Sequence, residues 1–139
     1  MKISKKIRKY IGLGLIVLTL VTSIVGYKKH EEKVNAINSI KNIKSNINKD
    51  TTLDKAYSKY IQKLNYTYYK DSEGNRFVEI NGKVLLKDKN RIADMRVTYL
   101  VDGDNTKFYS MYLDKMKMTE VDYLILKIKA FGSYDSTNL

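Results

Sequence analysis

Residues 93–101, ADMRVTYLV, carry the strongest periodic signal in the chain. Apolar side chains occupy every second position and polar side chains fill most positions between them: Ala93, Met95, Val97, Tyr99 and Val101 against Asp94, Arg96 and Thr98. A period of two sends alternate side chains to opposite faces of a sheet. The stretch therefore predicts a β-strand that is buried on one face only, as in an antiparallel sheet.

Neighbouring segments show the same period and are separated by turn residues. Three further strands are predicted over residues 64–69, 76–80 and 109–113. Clusters of Asp, Asn, Ser and Gly, which favour tight turns, lie at 71–75, 88–90 and 102–105. Asn81-Gly82 fits either a hairpin turn or a bulge in one strand that continues to Leu86. We favour the bulge, because either arm of such a hairpin would be short.

Helical spacing appears on both sides of these strands. One apolar face predicts a helix over residues 52–63, with Thr51 and Asp54 as a capping box: Leu53, Ala56, Tyr57, Tyr60, Ile61 and Leu64. A second face follows another capping pair, Thr119 and Asp122: Val121, Leu124, Ile125, Ile128 and Phe131. The predicted fold class is α+β, a helix, a four-stranded antiparallel meander and a helix, in a small domain over residues 51–132.

An uncharged segment near the N-terminus, Tyr10–Tyr27, predicts a transmembrane signal-anchor helix. Its 18 residues would span about 27 Å, close to the thickness of the hydrocarbon core. Tyr10 and Tyr27 stand at its ends, where amphipathic rings suit the membrane interface. The alternative is a secretory signal cleaved after Gly26, which would release the chain from the membrane.

The flanking charges predict the orientation of this segment. The basic tail 1–9 contains five cations and no acid: Lys2, Lys5, Lys6, Arg8 and Lys9. The opposite flank is nearly balanced, so the positive-inside bias places the N-terminus in the cytoplasm and the rest outside. Residues 28–50 then predict a polar helical stalk with an Ile-rich stripe, and residues 133–139 a flexible tail.

Composition narrows the chemistry available to the chain. It has 139 residues, one His and no Cys, so no thiol nucleophile, cysteine metal site or His cluster is expected. The Asp-rich turns at 71–75 and 102–105 lack the bidentate Glu of a calcium loop. We therefore expect a non-enzyme with no catalytic residue, metal, cofactor or small-molecule substrate. Although the net charge is +11, the predicted topology keeps the domain away from nucleic acid.

Tyrosine is the unusual residue, with 12 copies. Tyr66, Tyr68 and Tyr69 put rings on both faces of the first strand, which predicts that at least one is exposed and able to contact a partner. Five others fall mostly on apolar stripes and are expected in the core: Tyr57, Tyr60, Tyr99, Tyr109 and Tyr123. A basic end suits an anionic lipid or wall surface: Lys115, Lys117, Lys127 and Lys129.

Several short motifs carry a resemblance to known proteins: Thr52…Ala56…Tyr60, Tyr66-Thr-Tyr68, Asp71-Ser-Glu-Gly74, Val78-Glu-Ile80-Asn-Gly82-Lys83 and Val97-x-Tyr99. Together they resemble small exported domains of unknown function from low-GC Gram-positive bacteria. The architecture is also similar to bitopic subunits of conjugative secretion systems. Because the composition leaves binding as the chemistry that these residues do well, we expect an extracytoplasmic interaction module of the cell envelope, whose partner is another envelope protein or an anionic wall or lipid surface. The alternatives are a scaffold subunit of a secretion complex and, if the chain is cleaved, a secreted effector or immunity protein.

Overall fold

Residues 25–132 are described by the computed structural model of the chain. The predicted tails 1–9 and 133–139, and the predicted membrane segment up to residue 24, lie outside these residues. Within 25–132, no helix has the length and apolar character needed to cross a membrane. The described residues fall into two units that divide between residues 34 and 35.

The second unit is an α+β domain built on a five-stranded antiparallel sheet. Its strands follow one another in chain order: β1 (Gln62–Lys70), β2 (Arg76–Leu86), β3 (Arg91–Asp102), β4 (Asn105–Leu113) and β5 (Met116–Lys117). Three helices accompany the sheet: α1 (residues 25–41, of which the last seven belong to this unit), α2 (Leu53–Tyr60) and α3 (Glu120–Gly132). The predicted meander is confirmed. The fifth strand was not predicted, because two residues are too few to show a period.

The core lies between one face of the sheet, here called the inner face, and the helices. Val97 is fully buried in β3, with Ile80 of β2 and Met111 of β4 as its cross-strand neighbours. The buried side chains of α2 and α3 join this cluster, and Tyr57 meets Phe131 ring edge to ring face at 6.5 Å. The alternation over residues 93–101 is therefore the inner-face pattern of a central strand.

The segment predicted as a stalk over 28–50 differs in the structure from residue 35 onward. The helix ends at Lys41, and Ala36 and Ile40 are buried in the domain core. The loop after this helix is hydrogen-bonded to the start of α2, because the Leu53 N–H donates to the Ile43 carbonyl at 2.7 Å. Ile40 of the stripe is therefore part of the core, Ile37 and Ile43 pack against it, and Ile47 is exposed. The domain begins near Asn35 rather than at residue 51.

Helix α2 is shorter than predicted and lacks the predicted cap. It ends at Tyr60, and Thr52 is the N-cap residue, without a side-chain hydrogen bond. β1 already begins at Gln62, so Ile61 belongs to the sharp corner between helix and strand. By contrast, the second capping box is confirmed, because the Asp122 carboxylate accepts from the Thr119 N–H at 2.8 Å and the Thr119 hydroxyl accepts from the Asp122 N–H at 3.2 Å.

Strand pairing decides between a hairpin and a bulge at Asn81-Gly82. β2 runs straight through both residues, which pair in register with β3, so no hairpin forms here. The irregularity lies opposite, in β1, between Gln62 and Asn65, where Lys63 has a positive φ of 52°. One continuous strand was the correct prediction, whereas the bulge is in the partner strand and not at Gly82.

Helix α3 buries a different face from the predicted one. Its buried residues are Tyr123, Leu126, Ala130 and Phe131. Of the predicted stripe only Phe131 is buried, and the other four side chains are exposed: Val121, Leu124, Ile125 and Ile128. Because this helix is apolar around most of its circumference, hydrophobic spacing alone could not identify the face that meets the sheet.

Three buried tyrosines predict loss of stability in alkali. The Tyr99 and Tyr123 hydroxyls lie 2.8 Å apart, and burial raises the pKa of Tyr57, Tyr99 and Tyr123 above the usual 10.0. The unfolded chain releases these protons near pH 10 and the folded chain retains them. The contribution of these tyrosines to stability is therefore fully present below pH 10. Above pH 10 the free energy of unfolding falls by about 1.4 kcal/mol per pH unit for each fully buried tyrosine.

The measurement is an alkaline titration followed by tyrosinate absorbance and circular dichroism together. We expect part of the absorbance change to coincide with loss of the folded signal. Ionisation of all tyrosines near pH 10 with an unchanged circular dichroism spectrum would contradict this expectation.

Candidate functional site

A groove of about 570 Å³, which we call the sheet-end groove, opens at the end of the sheet where β2 turns into β3. One short 3₁₀ turn, Lys87–Lys89, forms one wall, and α3 forms another. The lining residues are Tyr60, Leu85, Leu86, Lys87, Asp88, Lys89, Arg91, Leu113, Met116, Met118, Asp122 and Lys129. Its volume lies within the usual range for binding clefts, about 300–1,000 Å³.

The floor of the groove is apolar and adaptable. Leu86, Leu113 and Met118 are half-buried and pack against the core, while Met116 in β5 is exposed. Methionine has an unbranched, polarisable side chain that adjusts to different partners, and it is over-used at promiscuous binding surfaces. The floor can therefore accept apolar side chains of varied shape.

The rim of the groove is charged, with four cations and two carboxylates: Lys87, Lys89, Arg91, Lys129, Asp88 and Asp122. Two of these groups already have structural partners. Arg91 bonds Asp114, which lowers the pKa of the Asp114 carboxyl, and hydrogen bonds from Thr119 lower the pKa of Asp122. The remaining lysines leave the rim attractive to acidic groups.

A second exposed feature lies on the other face of the sheet, the outer face. Tyr69 stacks on Phe77 with ring centroids 5.2 Å apart, and Tyr109 meets Phe77 edge to face at 5.0 Å. Tyr69 is 40% exposed and Tyr109 61%, whereas Phe77 beneath them is buried. We call these three residues the aromatic ridge. Beside it, Arg96 lies over the Tyr112 ring at 4.8 Å.

Tyr109 reaches this ridge because of an irregularity in β4. Thr98 pairs with Ser110, but the next residue, Tyr99, pairs with Phe108, so Tyr109 is an extra residue in the strand. Such a bulge redirects a side chain. Phe108 takes the inner-face position and stacks on Tyr123 at 4.0 Å. The prediction that Tyr109 belongs to the core is therefore wrong, while the prediction holds for Tyr57, Tyr99 and Tyr123.

The three tyrosines predicted as partner contacts are split between the faces. Tyr66 and Tyr68 are half-buried on the inner face, and only Tyr69 is exposed on the outer face. The Tyr66 hydroxyl donates to Asp54 at 2.8 Å, and Lys41 lies 4.9 Å from the centre of the Tyr66 ring. Burial, and then the Asp54 carboxylate, raise the pKa of Tyr66. Tyr66 therefore has a structural role, because its contacts link β1 to α2 and α1.

This division predicts unequal effects of alanine substitution. Tyr66→Ala and Tyr68→Ala should each lower the free energy of unfolding by about 2–3 kcal/mol, because each removes a ring that packs against the core. Tyr69→Ala should cost about 1 kcal/mol, the value of one exposed ring pair. Urea unfolding measures all three variants, and equal losses would contradict the assignment of the rings to two faces.

Of the other predicted site residues, the structure describes Tyr27 alone. Tyr27 is exposed in α1, within the first unit. Tyr10 and the five basic residues Lys2, Lys5, Lys6, Arg8 and Lys9 lie outside the described residues. In the part of the chain from 25 to 132, no three His, Asp or Glu side chains gather as a metal ion would require. The Asp71 carboxylate instead accepts the Glu73 and Asn75 N–H groups, each at 2.9 Å, as in a turn.

Sequence reasoning did not find the sheet-end groove. The available signal was the pair of methionines at 116 and 118, but spacing along the chain does not reveal which residues surround one groove. Comparison of the chain with protein-family models, curated proteins and solved structures found no match. We therefore argue the function from the groove and from the chemistry of the residues that line it.

Proposed function

We propose that this protein is a membrane-anchored, non-catalytic interaction module of the bacterial cell envelope. In this proposal, Tyr10–Tyr27 holds the chain in the membrane with its N-terminus in the cytoplasm. The domain from Asn35 onward lies outside and binds a segment of another envelope protein. The observation that carries the proposal is the sheet-end groove, with its methionine-containing floor open to solvent.

The chemistry of the groove favours a particular kind of segment. The apolar floor favours Leu-, Ile- or Met-type side chains, because burying them removes apolar surface from water on both partners. The lysines of the rim, Lys87, Lys89 and Lys129, favour acidic residues at the edges of that segment. We therefore propose a protein segment with an apolar centre and acidic flanks.

The position of the groove supports a protein partner over a flat anionic surface. A wall polymer or lipid headgroup layer would contact protruding cations, and would make no use of a concave apolar floor. Lys87 and Lys89 border the same hollow as Leu86 and Leu113, so the charged and apolar groups converge on one ligand. Such convergence is typical of a site that recognises a shaped partner.

Site-specific photo-crosslinking in the native host tests this proposal on the full chain. A photoreactive amino acid in place of Met116 should give a discrete protein adduct. The matched control replaces Thr67, which is exposed on the outer face of β1, and should give none. Reversing two rim charges, Lys87→Glu with Lys89→Glu, should lower the adduct yield about fivefold, as expected for two exposed charges.

Two results would contradict the proposal. One is an adduct of equal yield from the Thr67 and Met116 positions. The other is an absence of any protein adduct, combined with salt-sensitive sedimentation of the chain with anionic vesicles. The second result would favour the wall or lipid surface as the partner.

A further inference from the structure

Helix α3 presents a further apolar surface that is exposed in the described part of the chain, residues 25–132. Val121, Leu124, Ile125 and Ile128 are 63%, 46%, 45% and 54% exposed, although all four are large and apolar. Their spacing of i, i+3, i+4 and i+7 places them on one line along the helix. They form the α3 stripe, which faces away from the buried residues Tyr123, Leu126 and Ala130.

Charged residues border the α3 stripe in an ordered way. At 100° per residue, Glu120 and Lys127 lie along one edge of the stripe, and Asp122 and Lys129 along the other. Each edge therefore has an acid near the start of the helix and a lysine near its end. When two copies of this helix run antiparallel, the acids on each edge of one copy therefore lie near the lysines of the other copy.

We propose that the α3 stripe binds the α3 stripe of a second copy of this chain, with the two helices antiparallel. A two-fold axis between Leu124 and Ile125 would set Val121 of each copy against Ile128 of the other. The edge with Glu120 and Lys127 would then lie beside the equivalent edge of the second copy, and the two edges would run in opposite directions. Glu120 would approach Lys127 of the second copy, and Asp122 would approach Lys129, which gives four attractive pairs in the dimer.

The same charges oppose a parallel pair. When two identical helices run in the same direction, each edge of the stripe meets the other edge at the same height. Glu120 would then face Asp122 of the second copy, and Lys127 would face Lys129. Like charges at such distances are repulsive, so the charge pattern selects the antiparallel arrangement.

The size of the surface determines how strong this pairing is. Two turns of helix cover less than the roughly 800 Å² per partner of a standard interface. We therefore expect a weak dimer, with a dissociation constant of order micromolar or above, that forms where the chain is concentrated. The pairing does not depend on a partner in the sheet-end groove, although Asp122 and Lys129 border both surfaces.

Single cysteines test the geometry, because the chain contains no cysteine of its own. In the antiparallel pair, position 124 lies beside position 124 of the second copy, so Leu124→Cys should form a covalent dimer on oxidation. Val121→Cys is the matched control on the same stripe. Its two copies would lie seven residues apart along the axis, about 10 Å, which exceeds the reach of a disulfide.

The experiment uses the full chain in membranes of expressing cells, and the yield of covalent dimer is the readout. We expect a high yield from Leu124→Cys and a yield at least fivefold lower from Val121→Cys. Equal yields from the two positions would indicate a parallel or random encounter and would overturn the proposal. A Leu124→Cys protein that stays monomeric under oxidation would overturn it as well.

A charge substitution in the Leu124→Cys background provides an independent test. Glu120→Lys should lower the dimer yield several-fold, because two lysines then face each other across the pair. Adding Lys127→Glu should restore the yield. In a parallel pair, Glu120→Lys would raise the yield by facing Asp122, so the direction of the change alone distinguishes the two arrangements. An unchanged yield would contradict the proposed charge pairing.

Discussion

Val97→Asp is expected to lower the free energy of unfolding by about 4 kcal/mol or more, a large fraction of the roughly 5–15 kcal/mol that stabilises a typical native domain. Val97 is fully buried in the central strand β3, between Ile80 and Met111. A carboxylate placed there would be surrounded by apolar side chains with no cation to pair with it. Urea unfolding followed by circular dichroism measures the loss.

The matched control for this variant is Thr67→Asp, on the exposed outer face of β1. Because position 67 pairs with Glu79 across the strands, the new carboxylate should cost about 1 kcal/mol or less, well below the loss expected at Val97. From the alternation of residues alone, Thr98→Asp would be expected to have a mild effect on stability. Thr98 is buried on the outer face, however, so we expect Thr98→Asp to lower the free energy of unfolding too. Equal unfolding midpoints for Val97→Asp and Thr67→Asp would contradict the position of Val97 in the core.

Gly82→Val should be the second most damaging substitution, with a loss of about 3 kcal/mol or more. A Cβ atom at position 82 would lie 2.3 Å from Cγ2 of Ile61 and 3.0 Å from the Gln62 carbonyl oxygen. The Ile61 side chain is buried and branched at Cβ, so it cannot move aside cheaply. The corner between α2 and β1 passes over Gly82 so closely that only glycine fits.

The control for this substitution is Gly132→Val at the end of α3, where an added Cβ meets no atom within 4 Å. It should change the free energy of unfolding by less than about 1 kcal/mol. A Gly82→Val protein as stable as the Gly132→Val protein would show that the corner can shift away from β2. That result would contradict the close approach of Ile61 to this strand.

The candidate surfaces differ in how much of them could be predicted from the sequence. Exposed tyrosine on β1 was predicted, and Tyr69 is exposed, but its neighbours in the aromatic ridge were not predicted. Tyr109 joins the ridge through an extra residue in β4, and a bulge leaves the alternation of neighbouring residues nearly intact. The sheet-end groove draws its lining from strands β2 to β5 and from helices α2 and α3, so no single segment of sequence contains its pattern.

The sequence by itself determined the antiparallel meander, its turns and the capped start of α3. Strand periodicity, Asp- and Gly-containing turns and the Thr119–Asp122 pair act between residues that are close in the chain, so their effects are visible locally. The burial of Tyr57, Tyr99 and Tyr123 was predicted as well. Tyr57 and Tyr99 fall on apolar stripes that are visible in the sequence, whereas Tyr123 lies on the face of α3 that the spacing did not identify.

Only the tertiary structure decided which surfaces the domain leaves open. The Ile stripe of α1 could have served as a spacer, and either side of α3 could have met the sheet, because each offers a continuous apolar line. Which of these apolar faces becomes buried depends on how well each packs around Val97 and Phe131. Segments that are distant in the chain compete for the same buried space. The exposed α3 stripe and the sheet-end groove are among the apolar surfaces that remain on the described part of the domain when this competition is resolved.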